Sequence, residues 1–171
     1  MSIYPPAPEL DVSEWLGTPT PLSSLRGRVV LLETFQMLCP GCVSDGLPQV
    51  KRVQQAFPEV AIVGLHTVFE HHAAMGPVSL AAFLSEYRID YPVAIDRHDG
   101  SDVPVTMRTY GLRGTPSTVL IDREGRIRLS TFGAMDDLSL GAHLARLLGE
   151  QPLNDESVAT GQTCEPGAGC S

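Results

Sequence analysis

Positive charge is scarce in this sequence: 12 Lys and Arg residues stand against 20 Asp and Glu residues, and the formal net charge is −8. Nucleic-acid-binding proteins usually carry a basic patch, and no cluster of Lys or Arg appears here. The acidic balance therefore predicts a soluble protein that has no nucleic-acid partner.

Long apolar runs are also missing. None approaches the roughly 20 residues that a helix needs to cross a bilayer, so no membrane partner is expected. Residues 1–17, "MSIYPPAPELDVSEWLG", contain neither the basic start nor the apolar stretch of a secretory signal. The sequence therefore predicts a cytoplasmic location.

Cysteines are few and stand in two close pairs, Cys39 with Cys42 and Cys164 with Cys170. A secreted scaffold held together by disulfides would normally be smaller and richer in cysteine. A C-x-x-C pair in a protein without a secretory signal is more often catalytic or metal-binding. The pair at 39–42 is therefore the first candidate for chemistry.

The hydrophobic pattern predicts an α/β fold with a central mixed β-sheet and helices on both of its faces. Apolar runs predict strands, and apolar residues at helical spacing predict amphipathic helices. The predicted strands are 28–35, 60–66, 91–95, 117–122 and 126–133, and the predicted helices are 42–57, 77–88, 105–112 and 136–148.

Composition divides the chain into three parts. Residues 1–24 are rich in Pro, Ser and Thr and are predicted to form a covering arm that Trp15 and Leu16 dock on the core. Residues 25–148 carry the strand and helix pattern of one domain. In residues 149–171 the composition shifts to Gly, Pro, Asn, Asp and Ser, which predicts a tail of low order.

The predicted elements place the first cysteine pair at a helix N-terminus, because Cys39 follows a strand and Cys42 opens a helix. Unpaired N–H groups and the helix dipole favour negative charge there. An unperturbed cysteine is only about 3% thiolate at pH 7, whereas a pKa of about 7 makes it roughly half. We therefore predict that Cys39 is the attacking thiolate and Cys42 the resolving thiol.

The arrangement of strand, C-x-x-C and helix in a βαβ context resembles the thioredoxin-like fold. A second motif, "YGLRGTPSTVLIDREGRI" at 110–127, is similar to the stretch in which that superfamily places a cis-proline before a strand and hairpin. The resemblance covers roughly residues 25–148. It implies that Thr115–Pro116 is the cis peptide bond, that it lies beside the cysteines and that the backbone of Thr115 pairs with a substrate chain.

Within this superfamily the chain resembles the TlpA-like and redoxin group. The phrase "LSSLRGRVVLL" and an insertion after the second strand are typical of that group, and "VGLHTVFEH" and "YPVAID" resemble the thioredoxin-like module of DipZ-type proteins. Two positions depart from the superfamily: Leu38 stands where Trp is usual, and Pro-Gly separates the cysteines where thioredoxin has Gly-Pro. The first change bears on partner docking and the second on the reduction potential.

Glu33 stands six residues before Cys39, where thioredoxins carry a buried acid. On this resemblance its carboxylate accepts the proton of Cys42 during resolution. A glutamate that faces solvent at a strand end is the alternative interpretation. His66 ends a predicted strand, where it either lies near the cysteines or is a hydrogen-bonded histidine without a role in chemistry.

Together these features predict a thiol–disulfide oxidoreductase that needs no cofactor and no metal. Its expected partners are protein or small-molecule thiols and disulfides, with an electron-donating dithiol protein. Two alternatives stay open. One is a peroxiredoxin-like peroxidase, although such enzymes place Thr or Ser where this chain has Gln36. The other is a non-enzymatic metal-binding or chaperone-like module that uses the same cysteines.

The tail cysteines, Cys164 and Cys170, are candidates for an auxiliary redox pair. A flexible chain from Gly149 to Cys164 spans about 20–23 Å, and a domain of this size has a radius of gyration near 15 Å. The tail pair can therefore reach Cys39, and we hypothesise that the two pairs exchange disulfides. In the alternative, the tail thiols oxidise only with each other.

Overall fold

The computed structural model describes residues 3–150. Within them a six-stranded mixed sheet has the strand order β1-β4-β3-β2-β5-β6. Strands β2, β3 and β4 run parallel, whereas β1 is antiparallel to β4, and β5 is antiparallel to both β2 and β6. The strands are β1 (Val12–Leu16), β2 (Val30–Phe35), β3 (Ala61–His66), β4 (Val93–Asp96), β5 (Ser117–Ile121) and β6 (Ile127–Phe132).

Helices cover both faces of this sheet, as the sequence predicts. One face packs against helices α1 (Leu47–Ala56), α2 (Pro77–Glu86) and α4 (Asp137–Gly149). The other face packs against the N-terminal segment, including a 3-10 turn at Leu22–Leu25, and against residues at the end of α3 (Val105–Thr109). No helix in the described part of the chain is long and apolar enough to cross a bilayer.

Strand β2 lies inside the sheet, and both of its faces are buried. Its side chains alternate between two apolar clusters, one on each face. Leu31 and Phe35 point to the face covered by α1, and Val30 and Leu32 point to the other. Every residue of β2 is buried. Glu33 stands two residues from both Leu31 and Phe35 in the strand, and its side chain therefore points to the same α1 face.

The N-terminal arm contributes a strand that the sequence pattern does not indicate. Val12–Leu16 forms β1 at the sheet edge, where Trp15 packs on one apolar cluster and Leu16 on the other. The five residues of β1 are exposed or half-buried. A strand with so little burial lacks the continuous apolar run that marks β2 and β3.

The helix predicted at 42–57 begins irregularly. Its turn at Cys42–Gly46 is π-helical, and the backbone N–H of Leu47 donates to the carbonyl of Cys42, five residues earlier. Pro48 follows within one turn and has no N–H to donate. Single π-helical turns within α-helices are frequent at functional sites.

Candidate active site

The C-x-x-C pair lies where β2 ends and the helix begins. The backbone N–H of Cys42 donates to Sγ of Cys39 at 3.3 Å. Cys39 is half-buried, Cys42 is fully buried, and both thiols are free. The amide that bonds the Cys39 sulfur is one of the donors that a helix N-terminus leaves unpaired. The outer sulfur can thus meet a partner while the inner one cannot.

The Cys42 thiol is held in its protonated form. Burial, followed by its hydrogen bond with Cys39, raises the pKa of Cys42 from 9.0 to about 12. Burial acts in this direction because it disfavours the charged thiolate. Cys42 therefore needs a proton acceptor before it can attack a disulfide on Cys39.

The turn before β5 forms the second wall of the site. The peptide bond Thr115–Pro116 is cis, as predicted. Sγ of Cys39 lies 3.4 Å from the carbonyl oxygen of Thr115, so the turn and the outer cysteine are in contact. The Pro116 ring in turn faces Gly41, where its Cδ would lie 3.5 Å from an added Cβ.

Glu33 is buried beneath this site, with 2% of its surface exposed. The Thr118 hydroxyl donates to Oε2 of Glu33 at 2.8 Å. Burial raises the pKa of the Glu33 carboxyl from 4.5 to about 8, and the Thr118 hydrogen bond opposes this shift. The interpretation of Glu33 as a solvent-facing residue is therefore wrong.

His66 supports the backbone that leads to Cys39. Its Nε2 accepts the N–H of Met37 at 3.3 Å, and the ring is fully buried. Burial lowers the pKa of His66 to about 4, so the imidazole is neutral at neutral pH. Within residues 3–150, no group of three or more His, Cys, Asp or Glu side chains is arranged to hold a metal ion.

Gln36 is a site residue that the sequence analysis considers only for the peroxidase alternative. Its side chain is buried, its Nε2 donates to the Thr115 hydroxyl at 3.5 Å, and its Oε1 accepts the N–H of Phe69 at 3.2 Å. Its backbone carbonyl accepts the N–H of Cys39 at 3.1 Å. The signal in the sequence is a polar residue between a buried strand and a C-x-x-C pair, where its hydrogen bonds can hold the cysteine backbone against the neighbouring turn.

Exposed apolar groups flank the site. Leu38 is 53% exposed directly before Cys39, and Phe132 at the end of β6 is 51% exposed. The Phe132 ring packs against Gly114, where its Cε2 would lie 2.6 Å from an added Cβ. The guanidinium of Arg113 lies 5.9 Å from the centre of the same ring. Phe132 thus adjoins the turn that contacts Cys39.

This site occurs on a chain whose residues 3–130 match the profile of the AhpC/TSA family. The chain belongs to the AhpC/TSA family. Among solved structures, a thioredoxin-like superfamily protein is similar at 52% identity and a TM-score of 0.83, over 85% of this chain and 97% of that one. A thiol-disulfide isomerase from Corynebacterium glutamicum is similar at 47% identity and a TM-score of 0.82, with the same 85% and 97% coverage.

Two relatives extend the comparison. Protein DipZ of Mycobacterium tuberculosis is 32% identical over 156 residues, which are 87% of this chain but only 21% of DipZ. Thiol-disulfide oxidoreductase ResA of Bacillus anthracis is 26% identical over 149 residues, 86% of this chain and 79% of ResA. The thioredoxin-like fold and the resemblance to the TlpA-like and DipZ-type group are thus confirmed.

In this AhpC/TSA member, the structure brings together five of the seven residues to which the sequence analysis assigns catalysis, substrate binding or auxiliary redox chemistry. Cys39, Cys42, Glu33, Thr115 and Pro116 form one continuous site between β2, the helix start and the cis turn. Cys164 and Cys170 lie outside the described residues, and their exchange with the first pair stays a prediction.

Proposed function

We propose that this member of the AhpC/TSA family is a thiol–disulfide oxidoreductase whose reactive centre is the C-P-G-C segment at 39–42. One observation carries the proposal: a half-buried Cys39 and a fully buried Cys42 share a hydrogen bond at a helix start beside a cis Thr115–Pro116 bond. The accessible sulfur begins the reaction and the hidden one completes it.

The reaction proceeds in two exchanges. The Cys39 thiolate attacks one sulfur of a substrate disulfide, the S–S bond breaks, and the first substrate thiolate leaves and takes a proton from solvent. Cys42 then loses its proton and attacks Sγ of Cys39. The Cys39–Cys42 disulfide forms as the mixed disulfide breaks, and the second substrate sulfur leaves as a thiolate that takes a proton from solvent. The substrate gains two electrons, and an electron-donating dithiol protein restores the reduced pair.

Glu33 is the proposed acceptor for the Cys42 proton. A catalytic base works best when its pKa lies near the working pH, and burial raises that of Glu33 to about 8. The carboxyl lies beneath the turn that carries Cys42, because its Oε1 would be 2.7 Å from a Cβ at Gly46, one turn later.

Thr115 and Pro116 are proposed to bind the substrate chain. The carbonyl of Thr115 already faces Sγ of Cys39 at 3.4 Å, so a chain paired with the Thr115 backbone would place its own sulfur next to Cys39. Protein and small-molecule disulfides are therefore the expected substrates, with no bound cofactor.

Turnover with thiols separates this function from the alternatives. Wild type should reduce a small disulfide and a protein disulfide, Cys39→Ser should do neither, and Cys42→Ser should accumulate a mixed disulfide on Cys39 that mass spectrometry detects. Stoichiometric zinc or copper without dithiol turnover would indicate a metal-binding module instead. Consumption of hydrogen peroxide much faster than that of disulfides would indicate a peroxidase.

The reduction potential of the pair decides the direction of electron flow. A value near that of thioredoxin, about −270 mV, makes the protein a reductant of its partners, and a value near about −120 mV makes it an oxidant. Equilibration of the Cys39–Cys42 pair with glutathione or dithiothreitol buffers measures it directly.

A further inference from the structure

The face of the sheet below the cysteine pair holds buried polar atoms without a partner. Among residues 3–150, Oε1 of Glu33, Nδ1 of His66 and Oη of Tyr91 are buried side-chain atoms that make no hydrogen bond within the protein. All three side chains lie on the α1 side of the sheet. Native proteins leave few such atoms unsatisfied, so a cluster of them calls for an explanation.

Tyr91 and Glu33 are neighbours across Gly64. Glu33 in β2 pairs directly with Gly64 in β3. Gly64 has no side chain, and the Tyr91 ring occupies the vacated place, with its Cε2 3.1 Å from where a Cβ would lie. Side chains alternate between the two faces of a sheet, and residues that pair across two strands point to the same face. The Tyr91 ring over Gly64 therefore lies on the same face as the Glu33 carboxyl.

The two groups complement each other chemically. Burial, followed by the negative charge of Glu33 and then of Asp90, raises the pKa of the Tyr91 phenol, so the hydroxyl remains a donor. A carboxylate only accepts hydrogen bonds, and Glu33 accepts one from Thr118 at Oε2, while its Oε1 accepts none within the protein. Tyr91 is 7% exposed and Glu33 is 2% exposed, so bulk water cannot supply the remaining donor.

The other titratable groups around this pair are few. Cys42 begins the helical turn whose last residue, Gly46, lies against Glu33, and His66 lies two residues beyond Gly64 on β3. Asp90 precedes Tyr91, but its carboxylate accepts a hydrogen bond from Gln54 at 2.8 Å on the exposed side. None of these groups is a donor bonded to Oε1 of Glu33.

We propose that Tyr91 is a positioning residue for Glu33: its hydroxyl donates, through one buried water molecule, to Oε1 of the carboxylate. Buried water commonly joins polar groups that the protein leaves unpaired. The inference rests on the proposed function, because it assigns Tyr91 to the base that takes the Cys42 proton. Tyr91 keeps its own proton throughout, while the proton from Cys42 moves to the Glu33 carboxylate.

A donor to the carboxylate favours the ionised form, so loss of the hydroxyl should raise the pKa of Glu33. Tyr91→Phe removes only the hydroxyl. The matched control is Tyr110→Phe, because Tyr110 is a largely buried tyrosine on the opposite face of the sheet, where its hydroxyl donates to the carbonyl of Pro8. Both variants lose one phenolic oxygen, but only the first lies beside Glu33.

The experiment follows the Glu33 carboxyl by carbon NMR in the reduced, full-length protein. The pH at the midpoint of the Glu33 titration should rise by about half to one pH unit in Tyr91→Phe, which is a three- to ten-fold change in the proton-binding equilibrium of the carboxyl. It should stay at the wild-type value in Tyr110→Phe. Equal midpoints in wild type and Tyr91→Phe would overturn the proposal, as would equal shifts in both variants.

Single-turnover kinetics keep the two proposals distinguishable. The rate at which a mixed disulfide on Cys39 resolves should show the same upward shift of its pH profile in Tyr91→Phe. Glu33→Gln should remove this transition from the profile. If Glu33→Gln resolves the mixed disulfide with the wild-type profile, Glu33 is not the base, whatever the NMR midpoint of Tyr91→Phe. If Glu33→Gln loses the transition from its pH profile, but Tyr91→Phe shifts neither the NMR midpoint nor the pH profile of resolution, only the assignment of Tyr91 fails.

Discussion

Oε1 of Glu33 lies 2.7 Å from the position that a Cβ at Gly46 would occupy. The same Cβ would lie 3.2 Å from Cβ of Pro116. Gly46 has helical angles, φ −60° and ψ −60°, so its backbone does not require glycine. The absent side chain instead makes room for the carboxyl beneath the turn that begins at Cys42.

We predict that Gly46→Ala displaces the carboxyl, because an added Cβ only 2.7 Å from Oε1 of Glu33 is too close for both atoms to keep their places. The expected cost is about 1–3 kcal/mol of unfolding free energy, as for other overpacked cores. Resolution by Cys42 should slow, while attack by Cys39 should not. Chemical denaturation and single-turnover kinetics measure these effects.

Gly141→Ala is the matched control for this change. Gly141 lies in α4, where an added Cβ would meet only the Phe57 ring, at 3.9 Å. Alanine in a helix is favoured over glycine by about 0.5–1 kcal/mol, so this variant should be as stable as wild type or more so. Equal stability of Gly46→Ala and Gly141→Ala would contradict the steric argument.

The Glu33 carboxyl should make stability fall as pH rises. Its pKa is 4.5 when unperturbed and about 8 in the folded protein. Between these values the folded state holds a proton that the unfolded state has lost, so each increase in pH favours unfolding. The stabilisation is complete below about pH 4.5 and is lost by about pH 8, on the order of 5 kcal/mol in all.

Glu33→Gln removes this titration. Urea denaturation at pH 5 and at pH 8.5 should show that the rise in pH lowers the stability of wild type relative to that of the variant. Buried His66 opposes this trend, because its pKa is 6.5 when unperturbed and about 4 in the folded protein, so its contribution to stability rises with pH between these values. Both proteins keep His66, and its contribution therefore cancels in the difference between them. An equal change in stability between pH 5 and pH 8.5 in wild type and in Glu33→Gln would rule out a raised pKa for Glu33.

Phe132 should matter for large substrates and not for small ones. It is half exposed and packs on Gly114, beside the turn that contacts Cys39. Phe132→Ala should lower kcat/KM for a protein disulfide about three- to ten-fold, within the range of one lost aromatic contact at an interface. The rate with a small aromatic disulfide should change less than two-fold.

Val78→Ala provides the comparison for Phe132→Ala. Val78 is 86% exposed in α2, and its loss removes exposed apolar surface from a different element of the fold. It should leave both substrates unaffected. A parallel loss with both substrates in Phe132→Ala would indicate a disturbed site and not a docking surface.

The hypothesis on the tail cysteines is tested by disulfide mapping. Mild oxidation of wild type and of Cys42→Ser, followed by mass spectrometry, should reveal bridges from Cys39 to Cys164 or Cys170. Cys39→Ser should lack them and retain only the bridge between Cys164 and Cys170. Absence of any bridge between the two pairs under every oxidising condition would defeat the idea of exchange.

Local patterns in the sequence predict much of this fold. The buried strands β2 and β3, the hairpin of β5 and β6 and the closing helix are each marked by apolar residues at a regular spacing, and the structure has them near the predicted bounds. β1 lacks such a mark, because a half-exposed edge strand does not bury a continuous run.

The site itself is only partly predictable, because its energetics depend on distant partners. The position of Glu33 indicates an acid, but its raised pKa follows from burial, and the hydrogen bond that opposes this shift comes from Thr118, which is 85 residues away in the sequence. Tyr91 and Gln36 acquire their roles in the same way, since nothing in their local sequence shows which groups will face them.

Gln36 has one more consequence. A single buried amide is bonded to Thr115 on one side and to Phe69 on the other, while its own carbonyl is bonded to the amide of Cys39. One buried residue therefore connects the cis turn, the backbone at Phe69 and the backbone of Cys39. On the proposed function, we expect the walls that an incoming chain meets to move together and not separately.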